Sequence, residues 1–178
     1  PVAIWAIRLS GGWFMAGPVS SGRIVGGRYT RARPAWVVKR RMKNIVILIS
    51  GRGSNMLALL DALAGSRQAE VGLVLSNTPA APALERARAR GIQAVSLTDY
   101  RDGEEWLRRL DGAQVDLIVL AGYLKLVPVE VIAAYRDRII NIHPALLPAF
   151  GGPGMYGRRV HEAVLRSGVP VTGATVHF

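Results

Sequence analysis

The stretch NIVILISGRGSN, residues 44–55, joins an unbroken apolar run to a glycine-rich turn. The apolar run, residues 44–50, predicts a parallel strand that is buried on both faces. The leucine-rich segment at residues 56–63 predicts a helix directly after the turn. A strand, a glycine turn and a helix in this order aim free backbone N–H groups at an anion, and Ser54 or Asn55 can cap the helix. The stretch therefore predicts an α/β protein with an anion-binding loop after its first strand.

The loop Gly51–Asn55 differs from the common nucleotide-binding signatures. It lacks the Gly-Lys-Ser/Thr ending of a Walker loop, and it is not a complete dinucleotide fingerprint. It suits one phosphate monoester better than a pyrophosphate. The structural alternative is an empty turn between a strand and a helix.

Strand-like and helix-like segments alternate through the middle of the chain. We predict strands at residues 70–76, 92–97 and 115–120, and helices at residues 80–90, 101–111 and 129–135. Gly91 is a suitable C-terminal stop for the helix that precedes it. This alternation predicts an open, mostly parallel, Rossmann-like sheet with helices on both faces, and such sheets bind ligands beyond the carboxyl ends of their strands.

A second chemical signal is the stretch RIINIHPALLP, residues 138–148. Residues i and i+2 of a strand point to the same face, so Asn141 and His143 should project together from a strand end. Pro144 and Pro148 prevent the strand from continuing. An amide beside an imidazole can polarise a carbonyl group and transfer a proton. The alternative is that both side chains only cap loop backbone.

The loop after the fourth predicted strand, residues 121–128, is apolar where a loop is usually polar. An apolar loop at a strand's carboxyl end can line a slot for a flat organic group. The alternative is a loop that packs beneath the next helix. The sequence alone leaves both interpretations open.

The net charge of +11 is concentrated in one segment of the 178-residue chain. Residues 1–41 carry eight Lys and Arg and no acidic residue, whereas residues 42–178 carry a net charge of only +3. We expect a disordered basic leader at residues 1–41 and one α/β domain at residues 42–178. The leader is either upstream sequence or an expression artefact, a targeting peptide, or an arm that binds phosphate polymers.

The remaining composition narrows the class of protein. There is no cysteine, so the chain has no disulfide and no thiolate metal site. The three histidines lack zinc-motif spacing, and we interpret His161 and His177 as side chains that pack or bond locally. No apolar run is long enough to span a bilayer. We expect a cytoplasmic protein without a metal, a membrane contact or a nucleic-acid partner.

Taken together, these motifs resemble phosphoribosylglycinamide formyltransferase, a folate-dependent family of purine synthesis. The resemblance runs from about Met42 to Phe178 and is carried by residues 49–55 and 141–148. Residues 151–164 are similar to the family's mobile loop and following helix, and residues 173–178 are similar to its next strand.

The resemblance implies a substrate, a co-substrate and a set of site residues. Gly53, Ser54 and Asn55 would hold the phosphate of 5-phosphoribosylglycinamide. Residues 124–127, which are Leu124, Lys125, Leu126 and Val127, would bind 10-formyltetrahydrofolate together with Asn141. The catalytic residues would be Asn141, which donates a hydrogen bond to the developing oxyanion, and His143, which stabilises it or delivers a proton.

The chain also departs from the family pattern. The family's catalytic aspartate would fall beyond Phe178, so we expect weak or no activity from these 178 residues. Lys125 occupies a position where the family usually has an arginine. The family also has a basic residue in the region that corresponds to Arg101–Gly103, and we do not assign it to a particular residue of this chain. The alternatives are a non-catalytic fragment that binds the phosphoribosyl substrate, or another enzyme of this fold such as formyltetrahydrofolate hydrolase or methionyl-tRNA formyltransferase. The phosphate loop favours the first-named family over these two enzymes.

Overall fold

The computed structural model describes residues 41–178, so the expected leader lies outside the described residues except for Arg41. No helix in this part of the chain is long and apolar enough to cross a bilayer. Its strands are β1 (Lys43–Ile49), β2 (Ala69–Ser76), β3 (Gln93–Ser96), β4 (Leu117–Leu120), β5 (Ile139–His143) and β6 (Thr175–His177). Its helices are α1 (Ser54–Leu63), α2 (Pro82–Arg88), α3 (Gly103–Gly112), α4 (Val129–Ala134) and α5 (Arg158–Ser167).

The strands form one sheet with the order β3-β2-β1-β4-β5-β6. Neighbouring strands from β3 to β5 pair in parallel, and β6 pairs antiparallel with β5. The predicted open, mostly parallel, Rossmann-like sheet is therefore confirmed. The strand order reverses between β1 and β4, and the crevice at such a reversal is where sheets of this type bind ligands.

The central strand β1 is buried on both faces, as its sequence predicts. Val46 and Leu48 pack in a cluster with Trp106 of α3, on one face of the sheet. Ile47 and Ile49 pack on the opposite face with residues of α1 and α2. This division follows from the alternation of side chains along a strand, and it explains why residues 45–49 are all apolar.

One expectation about the start of α1 is wrong. Neither Ser54 nor Asn55 caps the helix, because α1 begins at Ser54 and its N-cap is Gly53. Gly53 adopts the left-handed conformation with φ of 74°, and no side chain accepts a hydrogen bond at this helix end. Ser54 and Asn55 consequently lie within the first helical turn.

Candidate functional site

The loop between β1 and α1, which we call the anion loop after its predicted role, is defined mainly by its backbone conformation. Gly53 is required in it twice over, since its φ is positive and a Cβ there would lie 2.5 Å from the Cβ of Ala83. The first turn of α1 contains neither a capping side chain nor an acidic residue. The first N–H groups of a helix have no partner within the helix, so an uncapped end such as this one can bind an anion. Arg86 of α2 supports the loop by donating a hydrogen bond of 3.0 Å to the carbonyl oxygen of Arg52.

This loop opens into a cavity of about 490 Å³ at the carboxyl ends of the parallel strands, which we call the main pocket. The pocket brings together the anion loop, the loop after β4 and the end of β5. Its lining residues are 50–55, 121–124, 141–144, 155–157, His161 and Ala174. Ser54 and His143, which are distant in sequence, therefore face one cavity.

Asn141 is oriented by a residue of the antiparallel strand. Its Nδ2 lies 3.1 Å from Nε2 of His177, and Nδ1 of His177 lies 3.0 Å from the carbonyl oxygen of Phe178. Because a carbonyl oxygen only accepts, Nδ1 carries the proton and Nε2 accepts from the amide. An amide nitrogen has two hydrogens, so Asn141 keeps one N–H for a ligand.

His143 is held by the loop that follows its own strand. Its Nε2 lies 2.9 Å from the carbonyl oxygen of Phe150, so this nitrogen is the donor and Nδ1 is the nitrogen available for proton transfer. Thr175 fixes the same loop, since its hydroxyl donates to the carbonyl of Ala145 and accepts from the N–H of Leu147.

The hydroxyl of Ser50 connects three strand ends. It donates a hydrogen bond of 2.5 Å to Oδ1 of Asn77, which follows β2. It also accepts a hydrogen bond of 2.9 Å from the N–H of Leu124, which follows β4. One oxygen atom at the end of β1 therefore fixes the relative positions of its two neighbouring loops.

A second cavity, which we call the side pocket, lies next to the loop after β4 and has a volume of about 440 Å³. Leu124 borders both pockets. The other lining residues of the side pocket are Tyr100, Arg101 and residues 125–128. The cationic groups of Arg101 and Lys125 lie 4.7 Å and 5.2 Å from the centre of the Tyr100 ring. The side pocket thus combines an apolar wall, an aromatic ring and two positive charges.

Tyr123 separates the main pocket from the hydrophobic core. Its ring packs edge-on against Trp106, with ring centres 5.7 Å apart. Its hydroxyl is buried and has no hydrogen-bond partner among residues 41–178. Burial, with a smaller contribution from nearby Tyr100, raises the pKa of Tyr123 far above its ordinary value. The phenol is therefore neutral at physiological pH.

The residues expected from the sequence fall into these two cavities. Gly53, Ser54, Asn55, Asn141 and His143 line the main pocket, together with Leu124. The side pocket takes Leu124 and the remaining members of the expected folate loop, which are Lys125, Leu126 and Val127. Within residues 41–178, no cluster of three or more His, Asp or Glu side chains forms a metal site.

Sequence reasoning missed two side chains that position the site. We expected His177 only to pack or bond locally. Its ring contacts the carbonyl of its neighbour Phe178 and also the amide of Asn141, which lies on another strand. Ser50 belongs to the quoted motif, yet nothing in its spacing indicates contacts with residues 77 and 124. Both partnerships cross between strands, and a single sequence does not give strand register.

The comparison with protein families settles the relationship. Residues 43–178 match the formyl transferase family. The chain belongs to that family. This confirms the resemblance seen in the sequence, and the match extends over the whole described domain except its first two residues.

Individual formyl transferases give a more detailed comparison. The chain is 42% identical over 146 residues to the chloroplastic phosphoribosylglycinamide formyltransferase of Arabidopsis thaliana, which covers 78% of this chain and 50% of that protein. It is 37% identical to the phosphoribosylglycinamide formyltransferase of Escherichia coli, with coverage of 76% and 65%. The crystal structure of glycinamide ribonucleotide transformylase 1 from Symbiobacterium toebii superimposes with a TM-score of 0.69 at 36% identity, over 89% of this chain and 71% of that one. The chain thus spans about half the length of the plant formyl transferase it matches.

Proposed function

We propose that this formyl transferase binds 5-phosphoribosylglycinamide in the main pocket and 10-formyltetrahydrofolate in the side pocket, and that it transfers the formyl group to the glycinamide amine. The observation that carries the proposal is that an uncapped helix end and the Asn141–His143 pair line one cavity. A phosphate bound at the first would place the other end of the same small molecule near the second.

The phosphate would be bound by the backbone of Gly53–Asn55. The positive end of the α1 dipole and its free N–H groups favour a negative charge at this position. The guanidinium of Arg52, whose residue also borders the main pocket, adds positive charge nearby. This arrangement suits a single phosphate group better than a neutral ligand.

The chain's own residues supply the groups that acyl transfer requires. As the glycinamide amine attacks the formyl carbon, the formyl oxygen gains negative charge, and the free N–H of Asn141 donates to that oxygen. Nδ1 of His143 takes the proton that the attacking amine loses and returns it to the departing folate nitrogen. The new carbon–nitrogen bond forms on the glycinamide, the old one breaks at the folate, and no net proton is consumed.

The side pocket supports the folate half of the proposal. The apolar wall formed by residues 124–127 can cover a flat ring system, and the 10-formyltetrahydrofolate supplies the formyl group. Arg101 and Lys125 place two positive charges beside Tyr100, and folates carry carboxylates on their glutamate end. Leu124 borders both cavities, so the two ligands would meet at that residue.

The location of the protein stays a prediction. We expect a cytoplasmic protein, whereas the Arabidopsis relative is named as chloroplastic. The small-molecule partners of the proposal are the phosphoribosyl amine and the formylated folate.

The test is a formyl-transfer assay on the full chain and on the variants Asn141→Ala and His143→Ala. Asn141→Ala should lose roughly a hundredfold of any wild-type rate, the usual effect of removing one donor at a developing oxyanion. His143→Ala should lose roughly a hundredfold or more, the usual contribution of a positioned acid–base group. Glu104→Gln, on the exposed surface of α3, serves as the control and should retain the rate.

Other outcomes distinguish the alternatives. Binding of both ligands without transfer would support a binding module. Release of formate without the phosphoribosyl amine would support a hydrolase. Failure of the chain to bind either ligand would contradict the proposal.

A further inference from the structure

The turn between β3 and α3, residues 97–102, forms one wall of the side pocket through Tyr100 and Arg101. Asp102 caps α3, and its carboxylate accepts hydrogen bonds from the N–H groups of Glu104 and Glu105. An acid three residues after the cap usually bonds back to the N–H of the cap residue itself. Glu105 occupies that position, but its carboxylate bonds other backbone N–H groups.

The carboxylate of Glu105 reaches past the cap to the start of the turn. It accepts hydrogen bonds from the N–H of Thr98 at 2.9 Å and 3.1 Å, and from the N–H of Asp99 at 3.1 Å. The N–H of Asp102 instead donates to the carbonyl of Asp99. Glu105 thus connects the helix to the opposite end of the turn.

This carboxylate is held in its charged form within the protein. Glu105 is only 7% exposed, and Arg109 lies 3.6 Å from one of its oxygens. Burial by itself raises the pKa of Glu105, but the N–H groups of Thr98 and Asp99, together with Arg109, outweigh burial and hold this pKa below its ordinary value. An ionised acceptor forms stronger hydrogen bonds to backbone N–H groups than a neutral one.

The fixed turn sets the position of the pocket residues. The next residue of α3, Trp106, is fully buried, and its indole N–H donates a hydrogen bond of 3.1 Å to the carbonyl of Tyr100. Glu105 therefore holds the start of the turn while Trp106 holds its middle. The side chains of Tyr100 and Arg101 then lie beside Lys125 on the far wall.

We propose that Glu105 is a positioning residue for the side pocket, acting through the turn at residues 97–102 to hold Tyr100 and Arg101 where a ligand meets them. The inference rests on the proposed function for the identity of that ligand, which is a reduced folate. The inference is selective for the side pocket. None of the turn residues 97–102 lines the main pocket, so binding of a ligand there should not depend on Glu105.

The test compares Glu105→Gln with Glu104→Gln in the full chain. Both changes replace a carboxylate with an amide in the first turn of α3, but Glu104 is exposed and its carboxylate pairs with Arg108 on the helix surface. Calorimetry would measure binding of tetrahydrofolate to the side pocket and of ribose 5-phosphate to the main pocket. The NMR signal of the Trp106 indole N–H, assigned with Trp106→Phe, would report on the position of the turn.

Glu105→Gln should weaken tetrahydrofolate binding roughly tenfold, since a buried charged acceptor for two N–H groups is replaced by a weaker one. Ribose 5-phosphate binding should stay within about twofold, and Glu104→Gln should change neither affinity nor the indole signal. Equal losses of both ligands in Glu105→Gln would indicate a general structural role and overturn the proposal. So would unchanged tetrahydrofolate binding.

The readouts also separate this inference from the proposed function. If the wild-type chain does not bind tetrahydrofolate, the proposed function fails at that step. The indole signal and the hydrogen exchange of the Thr98 and Asp99 amides then still decide the role of Glu105. A shifted indole signal with faster exchange in Glu105→Gln alone would support positioning of the turn, and identical behaviour of the two variants would refute it.

Discussion

The turns that lead into α1 and α3 each follow the carboxyl end of a parallel strand, yet the two helices begin with different capping residues. The N-cap of α1 is a glycine without a capping side chain, and its first turn has no acid. The N-cap of α3 is Asp102, which bonds two N–H groups, and two acids lie in its first turn. The N–H groups at the start of α1 are therefore left free for a ligand, whereas side chains use those at the start of α3.

The largest effect is expected from a variant that gives α1 an acidic residue in its first turn, as α3 has. Asn55→Asp places an acid in the first turn of α1. Two like charges about 4 Å apart oppose each other by roughly 4 kcal/mol near a protein surface, so ribose 5-phosphate binding should fall several-hundredfold. Calorimetric titration would measure the loss.

A matched control for this prediction is Gln68→Glu, which adds the same charge before β2, at the opposite edge of the sheet. It should leave ribose 5-phosphate binding nearly unchanged. Similar small losses in both variants would mean that α1 does not bind the phosphate.

The second test concerns the backbone of the anion loop. Gly53→Ala would place an alanine in the left-handed conformation, and its new Cβ would lie 2.5 Å from the Cβ of Ala83. We expect a loss of about 3 kcal/mol in the free energy of unfolding, from backbone strain of about 1 kcal/mol and an overlap of about 2 kcal/mol. Urea denaturation measures this quantity.

Gly65→Ala is the control for Gly53→Ala, since Gly65 also has a positive φ but nothing lies within 4 Å of its Cβ position. It should cost only about 1 kcal/mol. Equal costs for the two variants would contradict the close approach of the loop to α2.

A third, smaller effect is the difference in stability cost between substitutions at the starts of α3 and α1. Asp102→Ala removes the cap of α3 and should cost about 1 kcal/mol of stability, whereas Ser54→Ala should cost less than about 0.5 kcal/mol because α1 has no side-chain cap. Thermal or urea unfolding of both variants provides the comparison. A larger cost for Ser54→Ala would show that its side chain does cap the helix.

The smallest effect is a dependence of stability on pH. Because the pKa of Glu105 is lowered in the folded chain, its contribution is complete above its ordinary pKa of about 4.3 and is lost as the pH falls through the lowered value. The stability difference between the wild type and Glu105→Gln, measured by urea unfolding from pH 7 to pH 3, should therefore shrink in acid. A constant difference across this range would argue against a lowered pKa.

Features that depend on residues close together in the chain could be predicted from the sequence. The apolar run before Gly51 and the alternation after it predict the sheet, because buried parallel strands impose a distinctive composition. The spacing of Asn141 and His143 predicts that they share a face, and the structure places both in the main pocket. These inferences depend on residues close together in the chain.

The remaining features depend on pairings that local sequence does not encode. The bond from Asn141 to His177 follows from the antiparallel register of β6, and the bonds of Ser50 join three separate strand ends. The Asp-x-x-Glu pattern at residues 102–105 indicates a capping box, but only the path of the turn shows that Glu105 bonds Thr98 and Asp99 instead. The cap expected at Ser54 or Asn55 was wrong because the left-handed residue is Gly53, one position earlier.

The shared hydroxyl of Ser50 has a consequence for how this protein can be altered. One oxygen sets both the edge of the anion loop and the position of Leu124, the residue that borders the two cavities. A substitution at Ser50 would therefore alter the lining of both cavities at their shared boundary. Redesign of one cavity therefore has to begin from residues that do not touch Ser50.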